Sequence, residues 1–394
     1  MNYTEYETVR EAAERLGVTA RAIQKQAADG KIHGAVKHGK SWMIPKNAAM
    51  QAKSERTGNE FVSQYTPMPV MAGDYRPGSA SEYIDAISDC DCRDIARGEI
   101  CFYRGQSAEA ARIMVKYQDS RDPVLRFSSN LVAIFSNLSG GYTDLVWLAI
   151  HNLRKQLNDI LKTDSPPEQR ALGVFVATMA SVLFHISFPD IPPLKEYMRY
   201  LPEGLKVYSC YILAHKAYLE KDHHGALAIA DIGTSFTGRA FPVGFIYCHI
   251  IAAIALVNLK RTKEALERFE KAWELAEPDG LIQPFGEHHG LLNGLSEIFF
   301  KDKDPKLRKQ IEIITYNFSA GWRSIHKRFV KRDVADNLST YEFTIAMLFS
   351  RGWSADEIGK HLGISRRTVY NHISVVYDKL GVFDKKQLGK FMLY

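Results

Sequence analysis

Along most of this chain the apolar positions recur at helical spacing, and strand-like alternation is confined to one short stretch near the amino end. From about Glu82 to Phe329 one helical pattern follows another. Near the carboxyl end Val369, Ile373, Val376 and Leu380 form an apolar stripe. Arg366, Arg367, Tyr370, Asn371 and Ser374 fall on the opposite face of the same helix. Near the amino end Val9, Ala12, Ala13 and Leu16 make the buried side of a short helix, and Ile32 to Ile44 reads as two short strands around His38-Gly39. Lys46 to about Ser81 is rich in Pro, Gly, Ser and Met and lacks a sustained period, which predicts an extended linker. The expected architecture is all-α: a tetratricopeptide-like helical solenoid over 82–330, with a small domain over 1–47, a linker over 48–81 and a second small domain over 338–394.

The carboxyl-terminal domain is sharply punctuated. Ser339 with Glu342 and Ser354 with Glu357 have capping-box spacing, and Gly352, Gly363 and Gly381 stand where three helices should stop. Gly363-Ile364-Ser365 is a turn of the length used in helix-turn-helix units. The polar face of the following helix then enters a major groove, where Arg and Asn form paired hydrogen bonds to base edges. Arg366, Arg367, Tyr370, Asn371 and Ser374 are the candidate readers, with His372 and Lys379 as phosphate or supporting contacts. These residues resemble the LuxR-type (GerE-like) DNA-binding domain, through Leu338-Ser339 with Glu342, Gly352, Glu357-Ile358, Leu362, Ile364-Ser365, Thr368-Val369, His372 and Lys379-Leu380. The sequence departs from that family at Tyr370, where a lysine is usual, and at Ala355-Asp356, where Asn-Lys is favoured. The resemblance implies a transcriptional regulator; the departures concern base preference.

At the amino end Thr8 and Glu11 have capping-box spacing, Gly17 breaks the first helix, Thr19 caps a second and Gly30 ends it. Arg21, Gln24 and Lys25 share the outer side of the second helix, and the hairpin carries Lys37 and Lys40. A helix-turn-helix followed by a basic hairpin is a winged helix, whose helix reads a groove while its wing touches phosphates. The stretch is similar to the MerR/excisionase type of domain, notably at Glu11-Ala12-Ala13, Leu16-Gly17-Val18, Gly30-Lys31-Ile32 and Trp42-Met43-Ile44-Pro45. Gly34 to Ser41 also satisfies the phosphate-loop pattern G-x-x-x-x-G-K-[ST]. Such a loop must follow a buried strand and open a helix. Here a helix end precedes it and Trp42-Met43-Ile44-Pro45 follows, so a nucleotide-dependent switch is the lesser reading.

The middle repeats. Gly225-Ala226-Leu227 follows Ala214, Ala217 and Tyr218, and Glu264-Ala265-Leu266 follows Ala252, Ala253, Ala255 and Leu256, at an offset of roughly 39 residues. Ser107 to Ala111 after Tyr103-Arg104-Gly105 reads as an earlier copy. Stacked hairpins of this kind bury a continuous core. The run Ala276 to Gly280, continuing through Gln283 to Gly286, resembles the solenoid of MalT-like regulators, in which the solenoid is a sensor region. That resemblance implies an effector or a partner on the solenoid.

Charge sharpens the picture. The net charge is +6, but residues 1–56 carry about +4 and residues 301–394 about +8, leaving a centre of about −6. Basic ends suit a chain that meets phosphate there. Five cysteines, Cys90, Cys92, Cys101, Cys210 and Cys248, give no disulfide framework and point to a reducing compartment. Met1 to Arg10 carries Glu5 and Glu7 and does not read as a secretory signal. Ala171 to Phe188 is uncharged over about 18 residues, the lower limit for a bilayer span. Its Thr178, Ser181, His185 and Ser187 favour a buried helix instead. The adjacent pairs His223-His224 and His288-His289 point in different directions on a helix, and Cys90, Cys92 and Cys101 lack a fourth ligand at recognisable spacing, so no metal, cofactor or catalytic residue is assigned. The expectation is a cytoplasmic, non-enzymatic regulator that binds double-stranded DNA as a homodimer, away from any membrane, its solenoid taking an effector or partner. A DNA-bridging scaffold without a ligand is the alternative.

Overall fold

The computed structural model describes residues 6–15, 19–28, 32, 35–38, 41–46, 65–162, 165–186, 188, 191–235, 239–326 and 338–392. These fall into two compact units, Met1–Phe61 and Val62–Tyr394.

In the amino-terminal unit, strand β1 (Tyr6–Thr8) leads into helices α1 (Val9–Arg15) and α2 (Ala20–Ala28), then strands β2 (Val36–His38) and β3 (Ser41–Pro45). The expected hairpin is present, and β3 pairs antiparallel with β2 on one side and with β1 on the other. The strand β1 was not evident in the sequence, because three residues are too few to show alternation. Ala12, Ala13, Ile23, Ala27, Ile32 and Ile44 form the core. The capping box is made: Thr8 N–H donates to Glu11 Oε2 at 2.8 Å and Glu11 N–H to Thr8 Oγ1 at 3.3 Å. Arg15 Nε reaches Glu7 Oε1 at 2.8 Å, tying α1 to β1.

Helices and no strand make up the regular structure of the second unit among the described residues. It begins α3 (Ala80–Asp85), α4 (Cys90–Tyr103), α5 (Ser107–Met114), α6 (Pro123–Gly140), α7 (Thr143–Lys162) and α8 (Pro167–Phe184). It continues α9 (Leu194–Tyr197), α10 (Glu203–Leu219), α11 (His223–Thr234), α12 (Pro242–Asn258) and α13 (Thr262–Ala276). Three short helices follow, α14 (Gln283–Glu287), α15 (His289–Leu292) and α16 (Leu295–Phe299), then the long α17 (Pro305–His326). The last four are α18 (Thr340–Ser350), α19 (Ala355–Leu362), α20 (Arg366–Leu380) and α21 (Lys385–Met392).

Four consecutive-helix hairpins share one turn. Gly105, Gly141, Lys221 and Lys260 each take a left-handed conformation, with φ of 76°, 76°, 65° and 60°. In each, two backbone N–H groups fold back onto the preceding helix, as in Lys221 to Tyr218 and Asp222 to Ala217, or Lys260 to Val257 and Arg261 to Leu256. This closes the helix end on its otherwise unpaired carbonyls. The hairpins α10–α11 and α12–α13 start about 39 residues apart. Ala252, Ala253 and Ala255 are wholly buried, and these small residues let α12 lie close to its neighbours.

The expected linker is partly a misreading. Met68, Val70, Met71 and Tyr75 are buried in the core of the second unit. Met68 N–H donates to Ser128 Oγ at 3.0 Å, Val70 N–H to Glu99 Oε2 at 2.5 Å, and Tyr75 N–H to the Ala240 carbonyl at 2.9 Å. An irregular strap has no period, so the spacing of its apolar side chains among Pro and Gly carries no sign of their burial. Asp279 fixes the end of the strap: its carboxylate accepts from Gly78 N–H at 2.7 Å and from Ala80 N–H at 3.0 Å, capping α3 from a distant part of the chain. The apolar stretch from Ala171 lies mostly in the buried helix α8. No helix among the described residues is long and apolar enough to cross a membrane.

Candidate nucleic-acid interface

Helices α18 to α21 form the carboxyl-terminal head. Both capping boxes are made. Glu342 N–H donates to Ser339 Oγ and Glu357 N–H to Ser354 Oγ, each at 3.2 Å, while each glutamate accepts from its serine's N–H at 2.8 Å. Ser365 caps α20 by accepting from Thr368 N–H at 3.0 Å. The turn between α19 and α20 is tight: a Cβ on Gly359 would lie 2.7 Å from the Ile364 carbonyl oxygen, so this approach requires glycine. Val369, Ile373 and Val376 are buried as their spacing predicts, and Leu380, the last of the stripe, is half-buried. The fourth helix, α21, was missed. Its start was nevertheless readable: Asp384 accepts from Gln387 N–H at 2.7 Å, and Leu388 and Met392 are buried one turn apart.

The opposite face of α20 is open. Arg366, Arg367, Tyr370, Asn371 and Ser374 are all exposed and lie on one side of the helix. His372 and Lys379 do not share that face freely. The His372 ring packs edge-on against Tyr341 with centroids 5.4 Å apart. Lys379 Nζ lies 2.7 and 2.9 Å from the two carboxylate oxygens of Glu342. That brace and the Ser339 cap together outweigh burial and hold Glu342 below the usual carboxylate range. Both side chains are thus engaged within the head itself.

Arg366 has a particular setting. Its guanidinium stands 3.2 Å from Asp356 and 5.6 Å from the centre of the Tyr370 ring. Asp356 and Tyr370 are two of the places where the sequence departs from the LuxR-type pattern, and both touch the same arginine.

The head is seated on the helices that precede it by faces other than α20's open one. Lys260 Nζ meets Glu357 Oε1 at 2.7 Å. Arg351 donates to Asn258 Oδ1 at 3.1 Å, to Asn293 Oδ1 at 3.3 Å and to the Tyr218 hydroxyl at 3.2 Å.

In the amino-terminal unit Arg21, Gln24 and Lys25 are exposed along α2, and Lys37 is exposed on β2. Lys40 lies outside the described residues. Ser41 opens strand β3, not a helix, so the phosphate-loop pattern lacks the helix start that its chemistry needs. The paired histidines take separate partners. His288 Nδ1–H donates to the Pro284 carbonyl at 2.8 Å and its Nε2 accepts from the Tyr211 hydroxyl at 2.8 Å. His289 stands 2.7 Å from Glu297. Among the described residues no cluster of three or more His, Cys, Asp or Glu is arranged to hold a metal ion.

An exposed basic and amide face on a capped helix, set behind a tight turn, is the reading element of a helix-turn-helix DNA-binding regulator. Residues 336–392 match the family described as bacterial regulatory proteins, luxR family, and residues 8–48 match a helix-turn-helix domain. The chain thus carries the two domains of a DNA-binding transcription regulator. No curated protein and no solved structure matches it.

Proposed function

We propose that this chain is a one-component transcriptional regulator whose carboxyl-terminal head reads a specific operator and whose repeat domain takes an effector or partner. One observation carries the reading: Arg366, Arg367, Tyr370 and Asn371 are exposed together on α20, while the residues that build the helix are held from behind. Arg366, Arg367 and Asn371 read base edges in the major groove, with Ser374 near the backbone. Asp356 and Tyr370 hold Arg366 ready and oblige DNA to compete for it. The amino-terminal unit adds a second contact through Arg21, Gln24, Lys25, Lys37 and Lys40. The protein acts in the cytoplasm, without a catalytic step, and as a dimer, since paired heads match paired half-sites.

The test is capture of genomic fragments by the purified full-length protein at two salt concentrations. A shared sequence motif that persists at the higher salt is the expected result. Uniform capture that falls steeply with salt and yields no motif would overturn operator reading and favour a DNA-bridging scaffold.

A further inference from the structure

Between the repeat domain and the carboxyl-terminal head lies a cavity of about 340 Å³, in the range of ordinary small-molecule sites. Tyr211, His215 and Trp322 line it from the repeat domain, and Phe343, Met347 and Arg351 line it from the head. Most of the wall is aromatic or aliphatic. Glu287 and Arg323 also line it, each with a partner of its own, Glu287 accepting from the Tyr247 hydroxyl; two other polar features stand out against the wall.

The first is His215. It is buried and its Nδ1 has no hydrogen-bond partner. Burial, with the neighbouring His288 and His185 adding to it, pushes its imidazole down to about 3, so the ring is neutral and its nitrogen is an unmet polar atom. The second is Arg351. This half-buried guanidinium donates only to the neutral groups of Asn258, Asn293 and Tyr218, and no carboxylate pairs with it among the described residues. A cation withdrawn from water without a counter-charge is a costly arrangement that an anion relieves.

We infer that this cavity is the effector site, and that it takes a small carboxylic acid with a flat aromatic body, its carboxylate at Arg351 and a polar substituent at His215. This deepens the reading of the chain as an effector-controlled regulator and rests on it. Because both the repeat domain and the head contribute wall, such a ligand binds only when the head is seated, and binding holds it there.

The matched probes are 2-naphthoate, 6-hydroxy-2-naphthoate and 2-naphthamide, titrated into the full-length protein by calorimetry. Saturable one-to-one binding of 2-naphthoate is expected, at least ten-fold tighter than that of the uncharged amide. The hydroxyl should tighten binding further. Arg351→Gln should erase the preference for the carboxylate, and His215→Phe the gain from the hydroxyl. Ser319→Trp, which fills the cavity from α17, should abolish binding without lowering the melting temperature, and so separates loss of the site from loss of folding. No saturable binding of any probe, equal affinity for acid and amide, or undiminished binding in Ser319→Trp would each overturn the proposal. Fragment capture on the same preparations keeps the two readings apart. An intact DNA motif without probe binding removes the cavity alone, and probe binding without a motif removes operator reading alone.

Discussion

His361 of the carboxyl-terminal head stands with Nε2 2.8 Å from the main-chain oxygen of Asn293, between α15 and α16, and with Nδ1 3.1 Å from the Thr262 hydroxyl. A carbonyl only accepts, so Nε2 carries the proton and Nδ1 accepts from threonine. The neutral imidazole therefore satisfies a partner at each nitrogen. Burial holds it below its ordinary pKa, against the pull of the Asn293 carbonyl. This tautomer adds two hydrogen bonds to the contacts that Lys260 and Arg351 make across the same seam.

His361→Ala should accordingly destabilise the protein by about 1–3 kcal/mol, because the buried Asn293 carbonyl and the Thr262 hydroxyl lose their partner together. Denaturant titration measures this directly. Operator affinity should change little, since His361 lies on α19 and away from the open face of α20. A large loss of affinity with unchanged stability would contradict that division of roles.

The setting of Arg366 makes a prediction of opposite sign. Asp356→Lys removes the carboxylate beside this arginine and adds a cation near the DNA face. Affinity should rise and the salt dependence steepen by about one phosphate contact. Arg366→Ala should weaken specific binding about ten- to hundred-fold and relax preference at one base pair. Lys379→Gln should leave the salt slope nearly unchanged, because that ammonium is already committed to Glu342. Filter binding across a salt series distinguishes all three.

Asp279 tests the strap. Asp279→Ala leaves the N–H groups of Gly78 and Ala80 unpaired, and a loss of about 1–3 kcal/mol is expected. Asp279→Asn keeps one acceptor and should lose less. Equal stability of the alanine variant and the parent would mean that this segment is not anchored as described.

Stability should peak in slightly acidic to neutral solution. Burial pushes His215 to about 3, and His288 and His249 to about 4. Below about pH 6.5 the unfolded chain binds protons that these folded histidines refuse, so stability falls as pH falls. Burial raises Glu99 to about 8 and Glu287 to about 7. Between about pH 4.5 and 8 these folded carboxyls keep protons that the unfolded chain releases, so their effect is a loss of stability as pH rises. Above about pH 6.5 the three lowered histidines no longer act; the two carboxyls do, and His289, which Glu297 holds above its ordinary value against burial, acts in the same direction, so melting temperature should decline. Glu99→Gln, which keeps an acceptor for Val70 N–H, should flatten that decline; an unchanged slope would remove Glu99 from the account.

The parts legible in the sequence were those with a period or a cap. The stripe Val369, Ile373, Val376, the two Ser-x-x-Glu caps and the roughly 39-residue repeat each encode local geometry, and the helices formed where they pointed. What escaped was non-local. The strap from Met68 to Tyr75 is held by Ser128, Glu99 and Ala240, and α3 is capped by Asp279, none of them near in sequence. The cavity is non-local too. Tyr211 and His215 lie one turn apart on α10, but Trp322 and Arg351 bear no spacing relation to them, and Arg351 joins them only where the head is seated.

If α20 reads sequence, its two arginines must carry the base preference. Selection from a random DNA library, with the full-length protein beside its Arg366→Ala/Arg367→Ala double variant, tests it most directly. A defined motif is expected for the parent, and for the variant residual salt-sensitive binding with the motif lost. Recovery of the same motif by both proteins would contradict it.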